Sequence, residues 1–89
     1  MDKDKTKVLK ALGCLVRKHR DHLGISQEKL ALQSDLDRTY ISGIERGIRN
    51  PSLTALVSLA DGLKIDVSSL LNGLETEINL QDGKNCNSQ

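Results

Sequence analysis

The stretch Ser26–Gly47, SQEKLALQSDLDRTYISGIERG, decides the fold. Its first half places apolar residues at Leu30, Ala31 and Leu36 and its second at Ile41 and Ile44, a helical spacing that gives each segment one narrow face to bury. Between the segments, Asp35-Leu36-Asp37 leaves room only for a tight turn. Ser26 is suited to cap the first helix, about residues 27–34, with Glu28 in the first turn where the helix dipole favours a carboxylate. Asp37 is placed to cap the second, which runs to about Arg46 before Gly47 stops it. Isolated helices shorter than roughly 12 residues are marginal in water, so both must dock on neighbours. The opposite face of the second helix then stays open to a partner, and it carries Arg38, Thr39, Ser42, Gly43 and Arg46.

Upstream, the charged opening MDKDKTK is expected to fray, and a helix follows from about Thr6 to Leu23 with Leu12, Val16, Arg20 and Leu23 on one face. Gly24 ends it as a C-terminal cap. Downstream, residues 48–51 form a basic loop. Ser52 can then cap a fourth helix to about Leu63, whose inner face is expected to be Leu53, Leu56, Val57, Ala60 and Leu63. A short fifth helix over residues 67–72 presents Val67, Leu70 and Leu71 before Gly73 closes it. Residues 74–80, LETEINL, alternate apolar and polar, which suits an edge strand as well as a helical extension; QDGKNCNSQ at the end reads as disordered. The expected architecture is all-α, a compact five-helix domain over residues 8–73. Residues 1–7 form a flexible N-terminus, and residues 74–89 a polar extension that begins with a dimer contact.

At 89 residues the chain makes one domain that buries a modest fraction of its surface, so dimerisation is a plausible source of added stability. It has no Trp or Phe, and Tyr40 is its only aromatic, so the core must be aliphatic. Net charge is +1, but residues 1–50 hold eleven Lys/Arg against seven Asp/Glu, while residues 51–89 hold two against five. Positive charge therefore gathers on the half with the paired short helices, a weak pointer to nucleic acid by itself. Cys14 and Cys86 show no metal spacing, and His19 and His22 have no acidic or thiol partner at ligand or catalytic spacing. No nucleophile–base set, phosphate-binding glycine loop or paired carboxylate motif is present, so the reading is no enzyme, no metal and no cofactor. No signal peptide or run of about 18 apolar residues directs the chain to a membrane, which makes the cytoplasm, in association with the nucleoid, the expected compartment.

Taken together, Arg20 in helix one, S-Q-E-x-L-A opening helix two, Y-I-S-x-I-E-R-G through helix three, N-P-S-L at residues 50–53 and L-A-x-x-L at residues 59–63 are specific. The chain resembles the Cro/C1-type, or XRE family, helix-turn-helix domains typified by lambdoid phage repressors, over about residues 12–71. The string LDRTYISGIERGIRN is especially similar to the small controller proteins of restriction-modification systems. Two departures stand out. Asp35 holds a turn position that is Gly in many members, where a left-handed backbone costs Asp more than Gly, and no counterpart of the large C-terminal domain of longer repressors is expected in these 89 residues.

The resemblance implies a transcriptional regulator that binds a palindromic double-stranded operator as a homodimer, with RNA polymerase as a further partner. It places Asp37, Arg38, Thr39 and Gly43 toward base edges in the major groove. Arg38 is the strongest of these, since a guanidinium donates two hydrogen bonds to guanine O6 and N7. Thr39 can set its methyl against thymine. A glycine inside a helix costs about 1 kcal/mol relative to alanine, so Gly43 reflects either close backbone approach to DNA or tolerated neutrality. Gln27, Tyr40, Ser42, Arg46, Arg49 and Asn50 are expected on the DNA backbone, and Arg17 and Lys18 either widen this basic footprint or simply face solvent. Tyr40 alternatively lies wholly in the core. Arg20 and Glu45 match a partly buried ion pair that ties helix one to helix three. Val67, Leu70, Leu71, Leu74 and Ile78 are the expected dimer contacts. Two other readings stay open: an antitoxin-like or prophage repressor, and a protein-interaction module on the same fold, for which three arginines around helix three would have no use.

Overall fold

The structure, a computed structural model, describes residues 4–81. Six helices follow in order: α1 (Lys5–Leu23), α2 (Gln27–Ser34), α3 (Arg38–Glu45), α4 (Leu53–Gly62), α5 (Val67–Leu70) and α6 (Leu74–Leu80). Local chemistry sets most of their ends. The Asp4 carboxylate accepts from the Thr6 amide at 2.9 Å, so α1 begins within the stretch expected to fray. Ser26 Oγ accepts from Lys29 N at 3.0 Å, and Ser52 Oγ from Ala55 N at 3.1 Å. Gly24 closes α1 in the left-handed conformation at φ 70°. Asp35 adopts the same region at φ 58°, ψ 41°, where short polar side chains are tolerated better than most; the turn expected there forms without glycine.

The core is aliphatic: Leu12 and Val16 from α1, Leu30 and Ala31 from α2, Ile41 and Ile44 from α3, Leu59, Ala60 and Leu63 around α4, and Leu70 from α5. α1 lies against the C-terminal end of α3 so closely that a Cβ on Gly13 would stand 2.5 Å from Glu45 O and 2.6 Å from Ile44 O. That approach fixes where α3 sits relative to the longest helix, and so fixes the direction in which its outer face points.

Two expectations from periodicity are corrected, and one left open is decided. Leu53 and Val57 do not face inward; they are 70% and 51% exposed, and the inner face of α4 rotates onto Ala55, Leu59 and Ala60 with Leu56 half-buried. Leu23, the last residue of α1 before its Gly24 cap, is also turned partly outward, at 39% exposed. Of the two forms open to LETEINL the helical one forms: residues 74–80 make α6, which packs along α1. Its inward residues, Leu74, Glu77, Ile78 and Gln81, recur at helical spacing, and the polar members of that set hid the period. Glu77 accepts from Lys18 Nζ at 3.0 Å, and Gln81 Nε2 reaches Cys14 Sγ at 3.4 Å. The expectations for residues 1–3, for the tail from residue 82 and for Cys86 lie outside the described residues. No helix among the described residues is long and apolar enough to cross a membrane.

Candidate nucleic-acid interface

α3 is too short to hold itself, and its position comes from Ile41 and Ile44, both fully buried. With those two side chains inward, Arg38, Thr39 and Arg46 are exposed, with Ser42 half-exposed between them. These positions fall at i, i+1, i+4 and i+8, a single stripe about two turns long. Arg46 Nε donates to Ser42 Oγ at 3.3 Å within it. Asp37 occupies the N-cap position in an extended conformation without accepting a side-chain cap bond, so its exposed carboxylate is not committed to the helix terminus.

Behind the stripe runs a connected polar chain. Arg20 Nε donates to Glu45 Oε2 at 2.7 Å and Arg20 Nη2 to Glu45 Oε1 at 3.0 Å, while Arg20 Nη1 donates to Ile25 O at 2.8 Å. The two side chains are 11% and 3% exposed. The hydrogen bond to Glu45, and then the attraction of the Glu45 and Asp21 carboxylates, hold the Arg20 pKa above its ordinary value against the opposing effect of burial. The pair forms as expected, and it bridges α1 to the last residue of α3.

Gln27 extends the chain outward. Its Nε2 donates to Glu45 Oε1 at 3.0 Å, and its Oε1 faces Arg38 Nη1 at 3.5 Å. The amide carries a second N–H, so a phosphate contact through it need not break the bond to Glu45. Gln27 thereby lies between Glu45 and Arg38, a contact that residue spacing alone does not signal.

The loop after α3 supplies the other half of the surface. Ile48 N and Arg49 N both donate to Gly43 O, at 2.9 and 3.2 Å, which folds the loop back onto the helix. Arg49 Cζ lies 5.9 Å from the centroid of the Tyr40 ring. Tyr40 packs against the core cluster while remaining half-exposed, between the two placements considered for it. Asn50 is exposed beside Arg49. Gly43 is a correction: it is buried within the chain beneath the Arg49 side chain and presents no surface to a base edge. Two expected dimer residues are corrected as well, since Leu70 is fully buried and Ile78 is 9% exposed inside the same subunit. Val67, Leu71 and Leu74 are half-buried. Among the described residues no group of three or more His, Cys, Asp or Glu side chains converges as a metal site.

A short helix docked behind a second, with an outward row of Arg, Thr and Ser and a basic loop at its end, defines a helix-turn-helix domain. The helix-turn-helix family model matches residues 16–70. The control protein C.MunI of Mycoplasma sp is 44% identical over 63 residues, covering 71% of this chain and 85% of that protein. The restriction-modification controller protein C.AhdI from Aeromonas hydrophila superposes with a TM-score of 0.68 at 45% identity, covering 70% of this chain and 94% of its own. The controller protein C.Esp1396I, solved as a tetramer in complex with its natural 35 base-pair operator, superposes with a TM-score of 0.74 at 39% identity over 81% of this chain and 95% of that one. The chain belongs to the Cro/C1-type helix-turn-helix family and stands within it beside the controller proteins of restriction-modification systems.

Proposed function

We propose that this protein is a transcriptional regulator that binds a palindromic operator as a homodimer and controls the genes of a restriction-modification system. The observation that carries the reading is the exposed Arg38–Thr39 pair at the start of α3, backed through Gln27 by the buried Glu45–Arg20 pair. Arg38 donates to guanine O6 and N7, Thr39 meets a thymine methyl, and Asp37 accepts from a cytosine amino group. Ser42, Arg46, Arg49 and Asn50, with the Tyr40 hydroxyl and the N-terminal amides of α2 around Gln27, fix the register on phosphates. Gly43 has no contact of its own in this arrangement.

Two α3 helices of a dimer would enter successive major grooves about 34 Å apart. Val67, Leu71 and Leu74 keep the accessible apolar area for that dimer, and the outward Leu53–Val57 pair on α4 adds more. Sites selected from a random duplex pool should converge on an inverted repeat, and footprints on the winning duplex should show two protected stretches one helical turn apart. A single unrepeated footprint would refute the dimer. Recruitment of RNA polymerase by one bound dimer, and its exclusion by a second, would make the same protein an activator at low concentration and a repressor at high concentration. Transcription in vitro across a protein titration tests that. The cytoplasm, at the nucleoid, is the compartment this function requires.

A further inference from the structure

Gly43 sits inside α3, where glycine weakens a helix relative to alanine, and α3 has only eight residues with which to absorb that loss. The space above it is not open. A Cβ placed there would collide with Arg49 Cγ and lie 3.4 Å from Arg49 Nε and 3.5 Å from Arg49 Cδ. The aliphatic stem of Arg49 therefore crosses the helix at the one residue without a side chain. Gly43 O holds the loop in place by accepting from both Ile48 N and Arg49 N. Tyr40, one turn earlier on α3, receives the guanidinium over its ring.

We propose that Gly43 is a positioning residue for DNA binding: its missing Cβ is a seat that lays Arg49 across α3 and holds the guanidinium over Tyr40, on the phosphate-facing side of the recognition helix. This rests on the DNA-binding reading above. A long cationic side chain loses rotamer freedom when it meets a phosphate, and one already laid in a groove loses less, so the seat raises affinity without touching DNA. Specificity is untouched, because the charge it positions reads no base.

The test compares the native protein with Gly43→Ala, Arg49→Ala and the double variant. Tyr40 is the chain's only Phe, Trp or Tyr and its ring centroid lies 5.9 Å from Arg49 Cζ, so a ring-current shift on the Arg49 side-chain protons reports its ring. Gly43→Ala should abolish that shift while melting at or above the native temperature. Its affinity for selected and random duplexes alike should fall roughly fivefold at moderate salt, with a salt slope shallower by about one, as for Arg49→Ala. The double variant should bind no more weakly than Arg49→Ala. Persistence of the ring-current shift and of native affinity in Gly43→Ala would overturn the proposal. So would a double variant markedly weaker than Arg49→Ala, because DNA would then be approaching Gly43 itself. Should Gly43→Ala fail to fold, the double variant, which lacks the colliding stem, must fold and match Arg49→Ala; its failure to fold would also overturn the seat. If the native chain binds no duplex, the regulator reading falls, and the ring-current measurement still decides whether the seat exists.

Discussion

Replacing Glu45 with alanine should be among the most damaging single changes in this protein. The carboxylate is 3% exposed and accepts from Arg20 Nε, Arg20 Nη2 and Gln27 Nε2. Its loss leaves a guanidinium, itself 11% exposed, with the Ile25 O hydrogen bond and the exposed Asp21 carboxylate at 3.8 Å. Breaking a buried pair from one side costs about 3–5 kcal/mol, because the surviving charge stays desolvated, and the solvent-exposed Asp21 carboxylate compensates it only weakly. In a domain of this size about 1 kcal/mol moves the melting temperature by roughly 4–8 °C, so the variant should melt at least about 12 °C lower. Total stabilities of small domains run about 5–15 kcal/mol, so a loss of this size removes a large share of the total. The assay is urea unfolding followed by far-ultraviolet circular dichroism, for native protein, Glu45→Ala, Arg20→Ala and the double variant. The double should be more stable than additivity of the singles allows, by about 2–3 kcal/mol, since it removes both charges together. An apolar pair, Arg20→Met with Glu45→Leu, should recover much of the stability, yet bind operator more weakly than native because Gln27 loses its anchor behind Arg38. A cost below about 1 kcal/mol for Glu45→Ala, the range of exposed ion pairs, would show that the pair is solvated and that the polar chain behind α3 is not a scaffold.

Other substitutions separate the remaining roles. Arg38→Ala should relax discrimination at one base pair of each half-site and cost about 1–3 kcal/mol on selected DNA, with little change on random duplex; equal losses on both would deny it a base. Arg46→Ala should instead weaken all sequences alike and flatten the salt dependence by about one unit, measured by fluorescence anisotropy. Gly13→Ala should destabilise by about 1–3 kcal/mol in thermal melts, because the new methyl meets the Ile44 and Glu45 carbonyls at the α1–α3 contact. Leu71→Glu should shift sedimentation toward monomer at tens of micromolar without unfolding the chain, since that side chain is only half-buried.

The helix ends around α2 and α3 are legible because local chemistry sets them. Ser26 caps through its own hydroxyl, Gly24 takes the left-handed backbone, and Asp35 holds the turn, each within a few residues of its partner. The Arg20–Glu45 pair depends on a contact between distant helices, and its recognition rests on family resemblance where periodicity is silent. Periodicity fails where a helix has apolar residues on more than one side. α4 carries Leu53, Ala55, Leu56, Val57, Leu59 and Ala60, and only its neighbours decide that Leu53 and Val57 turn outward. α6 fails in the opposite way, since Glu77 and Gln81 are buried by pairing with α1 and disguise the inward stripe. The reason for Gly43 is invisible in sequence because Arg49, which occupies its space, reaches it from a loop whose path no local rule sets. Leu70 and Ile78 add to an apolar surplus that suggests a dimer face, but α6 folds back on α1 and both go into the subunit's own interior.

The central claim, that the outward stripe of α3 reads a specific sequence, is tested most directly by the affinity for the best duplex selected from a random pool, set against a scrambled duplex of the same composition over a salt series. The account predicts a preference of roughly a thousandfold or more for the selected duplex, with a palindromic consensus. Weak binding that is equal for both duplexes and vanishes with added salt would contradict it and leave α3 as a surface for another protein.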